Sequence, residues 1–307
     1  MGCRLNQARG KGADVTNKRA DRGTSVSTVL GRRLGGELLR LREEAGLRQP
    51  HAAEALSASV AKVAKMERGW VPMRDPDIRA LCQLYGRDDP ATVDRLLGLA
   101  RADRDRRKAK GWWNQYPELP DMVEYVALED IATRVRTWQL SCLPGLFQTP
   151  GYARALAVGS GSWEDPDEIE PFVESRMARQ ARLTGERPLH VWAVLHEAAL
   201  RQLVGGRQVM RGQLERLLDS ARLPNVRLQV VPYSAGAHPG MTSSFTVVSF
   251  ADPGSMDVVY MDTASSTLWL ESESDAAHHT GIFDRIARLG LAQRDSSDLI
   301  ETIRKEM

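Results

Sequence analysis

The sequence predicts two domains of different class in series: an all-α bundle of five short helices over residues 29–100, then an α+β domain over residues 111–307. Three observations point that way. Apolar residues between Val29 and Ala100 recur at helical spacing between closely set breaks, and β-type runs begin only near His190. Charge divides the chain as well. Residues 1–110 carry 24 Lys and Arg against 14 Asp and Glu, a net of +10, whereas the rest carries 18 against 26, a net of −8. A basic front joined to an acidic back indicates that the front meets a polyanion. The first 28 residues supply only +4 of that surplus, so a folded segment shares it.

Residues 1–28 lack apolar periodicity and read as a disordered basic arm. Leu34, Leu38 and Leu41 then mark one face of a helix from Val29 to near Gly46. Short helices follow at 49–55, 59–67, 76–85 and 90–101, with Ser57, Gly69, Pro72, Gly86 and Pro90 in the breaks. Residues 101–110 are almost wholly charged and read as a linker, a solvated helix leading out of the bundle or a hinge. From Gly111 to about Thr184 the chain reads as mainly helical. Strand-type runs occupy 190–195, 226–231, 244–250, 257–261 and 267–270, with a helix at 209–223 between the first two and a helical stretch over 275–306. That order predicts an α+β domain rather than a regular βαβ repeat.

Gln49–Gly69, QPHAAEALSASVAKVAKMERG, has the spacing of a helix-turn-helix. Two short helices crossing at about 90–120° need a small residue where their backbones approach and a tight turn between them. Ala53 supplies the first and Leu56-Ser57-Ala58 the second. The Ser59 hydroxyl is placed to cap the second helix. Val63 and Met66 fall on its buried side, and Lys62, Lys65 and Arg68 on more exposed positions. An amphipathic helix pair in an ordinary bundle has the same apolar positions. The turn spacing, the basic surface and Met66-Glu67-Arg68-Gly69 together favour the DNA-binding reading.

GLRQPHAAEAL followed by SASVAKVAKMERG resembles the helix-turn-helix of xenobiotic-response-element (XRE) regulators, which share the five-helix fold of phage lambda-type repressors. The resemblance implies that the helix from Ser59 enters the major groove of double-stranded DNA, with Val60, Ala61 and Lys65 toward base edges and Gln49, Lys62 and Arg68 at phosphates. Two departures stand out. Ser57 replaces the usual turn glycine, which is tolerable if its φ stays negative. Arg48 replaces the usual capping Ser or Thr. Val60 and Ala61 can touch thymine methyls but offer no bidentate hydrogen bonds, so phosphate contacts and DNA shape are expected to carry more of the recognition.

Further motifs are similar to one subgroup, the antitoxin-like regulators of high-GC Gram-positive bacteria. They are Gly111-Trp112-Trp113, Pro144 to Thr149, Tyr152 to Leu156, Val204-Gly205-Gly206 and Ser234 to Gly240. An excess of Arg over Lys, 35 to 7, fits a GC-rich origin. Membership implies autoregulatory transcription control and a small partner protein encoded by a neighbouring gene; a homodimer is expected because one recognition helix reads few base pairs. A protein-binding module that sequesters such a partner, with DNA binding secondary, stays open as the alternative. Trp112, Trp113, Tyr116 and His238 are the candidate partner or effector contacts, although packing explains the aromatics equally well.

Catalytic patterns are weak. His196-Glu197-Ala198-Ala199-Leu200 lacks the second histidine of HExxH, and the adjacent His278 and His279 point about 100° apart on a helix. Gly159-Ser160-Gly161-Ser162 is not GxSxG. No enzyme activity is expected, and no metal or organic cofactor is implied. Cys3, Cys82 and Cys142 give neither a disulfide framework nor a zinc pattern. With no apolar run of the roughly 18–20 residues a membrane span needs, and no signal-like apolar core before Leu30, a cytoplasmic protein is expected.

Overall fold

The computed structural model describes residues 27–108, 120–161, 166–251, 257–263 and 267–307. Trp112, Trp113, Tyr116 and the expected arm up to residue 26 lie outside the described residues. The first domain comprises α1 (Val29–Glu44), α2 (Gln49–Ala55), α3 (Val60–Glu67), α4 (Asp75–Leu84) and α5 (Pro90–Lys108). Leu34, Leu38 and Leu41 of α1 meet Val63 and Met66 of α3, Ile78 and Leu81 of α4, and Leu96 and Leu99 of α5 in one core.

Residues 101–108 are not a linker outside that core but the last two turns of α5. Asp103 is 1% exposed. It accepts from the Thr28 hydroxyl and from Arg107 Nε at 2.8 Å. Thr28 also caps α1 by accepting from Gly31 N at 3.0 Å, and Arg107 Nη2 reaches Gly69 O at 2.6 Å. One carboxylate thus ties the start of α1, the end of α5 and the loop after α3.

The second domain runs α6 (Pro120–Ile131), β1 (Arg134–Gln139), α7 (Pro150–Ser160), α8 (Ile169–Arg179), β2 (His190–His196), α9 (Glu197–Arg201), α10 (Arg207–Ser220), β3 (Val226–Val231), β4 (Phe245–Ser249), β5 (Val258–Asp262), β6 (Thr267–Leu270), α11 (Glu273–Leu289) and α12 (Gln293–Glu306). The six strands form one sheet in the order β3-β2-β1-β4-β5-β6. β1, β2 and β3 are parallel, and β4, β5 and β6 continue the sheet antiparallel.

The stretch to Thr184 is mainly helical as expected, but one strand not expected from the sequence, β1, lies within it at the centre of the sheet. Its sequence, RVRTWQ, starts with a polar/apolar alternation that then inverts: Thr137 and Gln139 on the face of Val135 are polar, and Trp138 on the other face is apolar and buried, which conceals the strand period. With β1 in place, β1 to β3 form two successive βαβ crossovers joined to an antiparallel meander, so the sheet is mixed.

One sheet face packs under α10 and α12 through Leu214, Leu217, Ile300 and Ile303, and the other under α11 through Phe283 and Ile286. The domains are joined by shared burial: Leu128 of α6 and Val258 of β5 belong to the core of the first domain. No helix among the described residues is long and apolar enough to cross a membrane.

Replacing Asp103 with Ala removes the acceptor shared by Thr28 and Arg107 at a buried junction. The variant is expected to lose about 3 kcal/mol in urea denaturation; a loss under about 1 kcal/mol contradicts the clamp.

Candidate nucleic-acid interface

α2 and α3 form the helix-turn-helix, and each local feature has a chemical cause. The Ser59 hydroxyl accepts from Lys62 N at 3.2 Å and caps α3. Arg48 has no side-chain acceptor, but its own N–H donates to His51 Nδ1 at 3.0 Å. His51 thus supplies the reciprocal half of a capping box from the third helical position. Ser57 departs from expectation: its φ is +48°, not negative. A left-handed conformation costs an L-residue roughly 1 kcal/mol, which the usual glycine avoids.

Val63 and Met66 are buried, while Val60, Ala61, Lys65 and Arg68 are exposed and Lys62 is half-buried. Ala61, Lys65 and Arg68 fall at i, i+4 and i+7, one outward stripe. Among the described residues Lys62, Lys65 and Arg68 have no carboxylate within salt-bridge distance, whereas most arginines of the surrounding helices have one. The Arg68 guanidinium lies 5.9 Å from the ring centre of Trp70, which is 40% exposed beside it. Gln49 is also tied internally, its amide donating to Glu67 Oε2 at 2.8 Å.

Glu67 is the hub of that network. Arg42 of α1 grips it through Nε at 2.7 Å and Nη2 at 3.2 Å, and both side chains are more than nine-tenths buried. The hydrogen bonds to Glu67 raise the Arg42 pKa against the effect of burial, so the guanidinium stays charged. Burial, with the Glu67 charge second, pushes the Tyr85 hydroxyl up to about 12. Gly69 has φ +70°, and a Cβ there would lie 2.2 Å from Arg32 N; a Cβ on Gly35 would lie 2.3 Å from Glu67 O. Met66-Glu67-Arg68-Gly69 therefore combines one core residue, one ion-pair hub, one outward cation and one close backbone contact.

His238 lies elsewhere, at the carboxyl ends of the parallel strands. Its ring centre is 5.2 Å from Trp138 and 5.6 Å from His196. Trp138 Nε1 donates to Gly240 O at 2.8 Å, and Gly240 N donates to His238 Nδ1 at 3.2 Å. His196 Nδ1 likewise accepts from Ala198 N at 3.2 Å. Each Nδ1 lone pair is used, so both neutral rings carry the proton on Nε2. That tautomer fixes the loop and disfavours a metal at Nε2. Burial lowers both pKa values below 6.5, and His196 adds to the shift at His238. No group of three metal-ligating side chains occurs among the described residues.

Residues 33–96 match a helix-turn-helix domain family. Residues 122–302, more than half of the chain, match a domain of unknown function, DUF5753. The chain belongs to the DUF5753 family. No curated protein and no solved structure is detectably similar to it. In this DUF5753 chain the helix-turn-helix match covers α2, α3 and α4 in full, and the chain carries the fold of a DNA-binding regulator.

Two variants test the geometry. Ser57→Gly is expected to gain about 0.5 kcal/mol by relieving the left-handed serine. Gly35→Ala, worth about 1 kcal/mol of stabilisation on an open helix, is expected here to cost over about 2 kcal/mol in urea denaturation. A stabilised Gly35→Ala contradicts the close approach.

The histidines predict a pH effect. Their folded pKa values lie below the ordinary 6.5, so their contribution is complete above that value and is lost as pH falls through it toward the folded values. Denaturation midpoints are expected to drop between about pH 7.5 and 5.5, and the drop is expected to shrink in His196→Gln/His238→Gln. An unchanged profile in that variant contradicts the assignment.

Proposed function

We propose that this protein is a sequence-specific transcriptional regulator of the XRE type, acting by binding rather than catalysis, with its own promoter as first target. The observation that carries the reading is the exposed side of α3 and its C-terminus: Val60, Ala61, Lys65 and Arg68 are exposed, and among the described residues neither these cations nor the half-buried Lys62 has a carboxylate within salt-bridge distance. Cations not already held by a carboxylate meet phosphates without first breaking an ion pair. An eight-residue helix is about 12 Å long and reads only a few base pairs. A homodimer on a two-fold-related site doubles the contacts. The two small side chains at the start of α3 approach thymine methyls closely and leave the remaining discrimination to DNA shape. The DUF5753 domain, packed on α1 and α5, holds the sensing or partner-binding role.

The test is selection of duplex DNA from a random-sequence pool by the full chain. A short two-fold-related motif is expected, with half-sites roughly one helical turn apart. Lys62→Glu/Lys65→Glu is expected to weaken binding of the selected duplex by about 100-fold or more, with an unchanged circular dichroism spectrum. Wild-type affinity in the folded double variant refutes α3 as the recognition helix.

A further inference from the structure

One face of the sheet changes character along its length. Val135, Val191 and Val248 make it apolar at one end, and Thr137, Gln139, Thr246 and Tyr260 make it polar at the other. Thr137 and Thr246, paired across β1 and β4, share a buried hydroxyl hydrogen bond of 3.0 Å, and Gln139 Nε2 donates to Thr137 at 2.9 Å. Mid-sheet polar side chains facing a core are costly unless something polar lies against them. Above this floor is a cavity of about 350 Å³, at the small end of ligand-binding cavities.

α8 lays two arginines over the cavity, and they are treated differently. Arg179 is neutralised by Glu129 of α6 through Nε at 3.0 Å and Nη2 at 2.8 Å, with the Tyr125 ring 5.0 Å away. Arg176 has no carboxylate within 4 Å among the described residues. Its one hydrogen bond there is from Nη1 to Gln148 Oε1 at 3.2 Å, and its Nε is buried with no partner. Its guanidinium packs over Phe172 at 4.6 Å. Gly145 presses on both arginines: a Cβ would lie 2.8 Å from Arg176 Nη1 and 3.1 Å from Arg179 Nη1. Burial and the Arg179 charge lower the Arg176 pKa to about 10, which leaves it cationic at neutral pH. Asp262 also lines the cavity, but its carboxylate accepts from the Tyr260 hydroxyl at 2.5 Å and acts on Arg176 only through space. A half-buried cation with a buried, unpartnered Nε and no carboxylate in contact leaves a place for an added anion.

We propose that this cavity binds a small organic oxyanion, a carboxylate or a phosphate, with Arg176 as its counter-cation and Thr137 and Gln139 of β1 as its polar floor. Leu143, Leu146 and Leu156 complete the walls and select an anion that also carries an apolar group. α6 connects the site to the first domain. Tyr125 lines the cavity, Glu124 accepts from Val29 N at 2.9 Å and pairs with Arg106 at 2.5 Å, and Leu128 enters the α1–α5 core. Filling the cavity therefore acts on the helix that supports α1 and α5, and so on DNA affinity. This coupling rests on the DNA-binding reading, whereas anion binding does not.

The experiment is a thermal-shift titration of the full chain, without DNA, with benzoate, phenyl phosphate, inorganic phosphate and the neutral isostere benzamide. At least one anion is expected to raise Tm saturably by about 3 °C at concentrations up to roughly 10 mM, and benzamide is not. Benzoate against phenyl phosphate tells which oxyanion is preferred. Arg176→Met is expected to abolish the response while melting no lower than wild type, because it removes a charge that no carboxylate contacts. A merely structural arginine would lower Tm on replacement. No Arg176-dependent response to any of the anions, or an equal response to benzamide, overturns the site. The effective anion is then expected to shift affinity for the selected duplex by about 5-fold or more in wild type only. Unchanged affinity overturns the coupling, and failure to select any duplex is a separate result that bears on the DNA-binding reading alone.

Discussion

The close approach of α1 to the end of α3 governs what the recognition helix can present. Gly35 and Gly69 bring backbone against backbone where any Cβ would collide. Helices packed through ordinary side chains sit about 8–10 Å apart, and here that spacing is closed locally. The contact fixes how deeply α3 is seated but not its rotation. The Arg42–Glu67 fork supplies the rotation, since a bidentate pair holds both planes in one geometry. Gln49 extends the same carboxylate to α2. Val63 and Met66 are then committed to the core, and Ala61, Lys65 and Arg68 to solvent.

The DUF5753 domain is not a loosely tethered appendage. Arg33 of α1 is 2% exposed and donates to the Asp257 carbonyl ahead of β5, and Arg32 pairs with Glu271 after β6. Burial lowers the Arg33 pKa to about 10, against the opposing pull of Glu37, Asp257, Glu273 and Glu271. With Glu124 on Val29 N and Arg106, these polar ties surround the shared apolar contact of Leu128 and Val258.

How much of this was legible in the sequence depended on whether the cause was local. The helix-turn-helix was, because its signals lie within a few residues: α2 runs from Gln49 to Ala55 as read, and Ser59 caps α3. Ser57 was not, since its positive φ follows from the turn closing between two packed helices rather than from its own preference. Neither was the role of residues 101–108, where burial of Asp103 depends on Thr28, 75 residues away. β1 was concealed because its alternation inverts within six residues, with polar Thr137 and Gln139 on the face of Val135 and apolar Trp138 on the other, and Arg136 finds Asp257 only in the folded chain. The difference between Arg176 and Arg179 has no sequence signal at all. The two stand three apart on one helix, and only the position of Glu129 tells them apart.

The most direct measurement is photo-crosslinking of the full chain to a selected duplex from a reactive residue placed at Ala61, with the same residue at the exposed Leu203 of the DUF5753 domain as comparison. Crosslinks to bases within the selected motif from position 61, and none from position 203, are what an outward α3 in the major groove predicts. Specific binding that gives no base crosslink from position 61 would contradict it and assign DNA recognition to another surface of the chain.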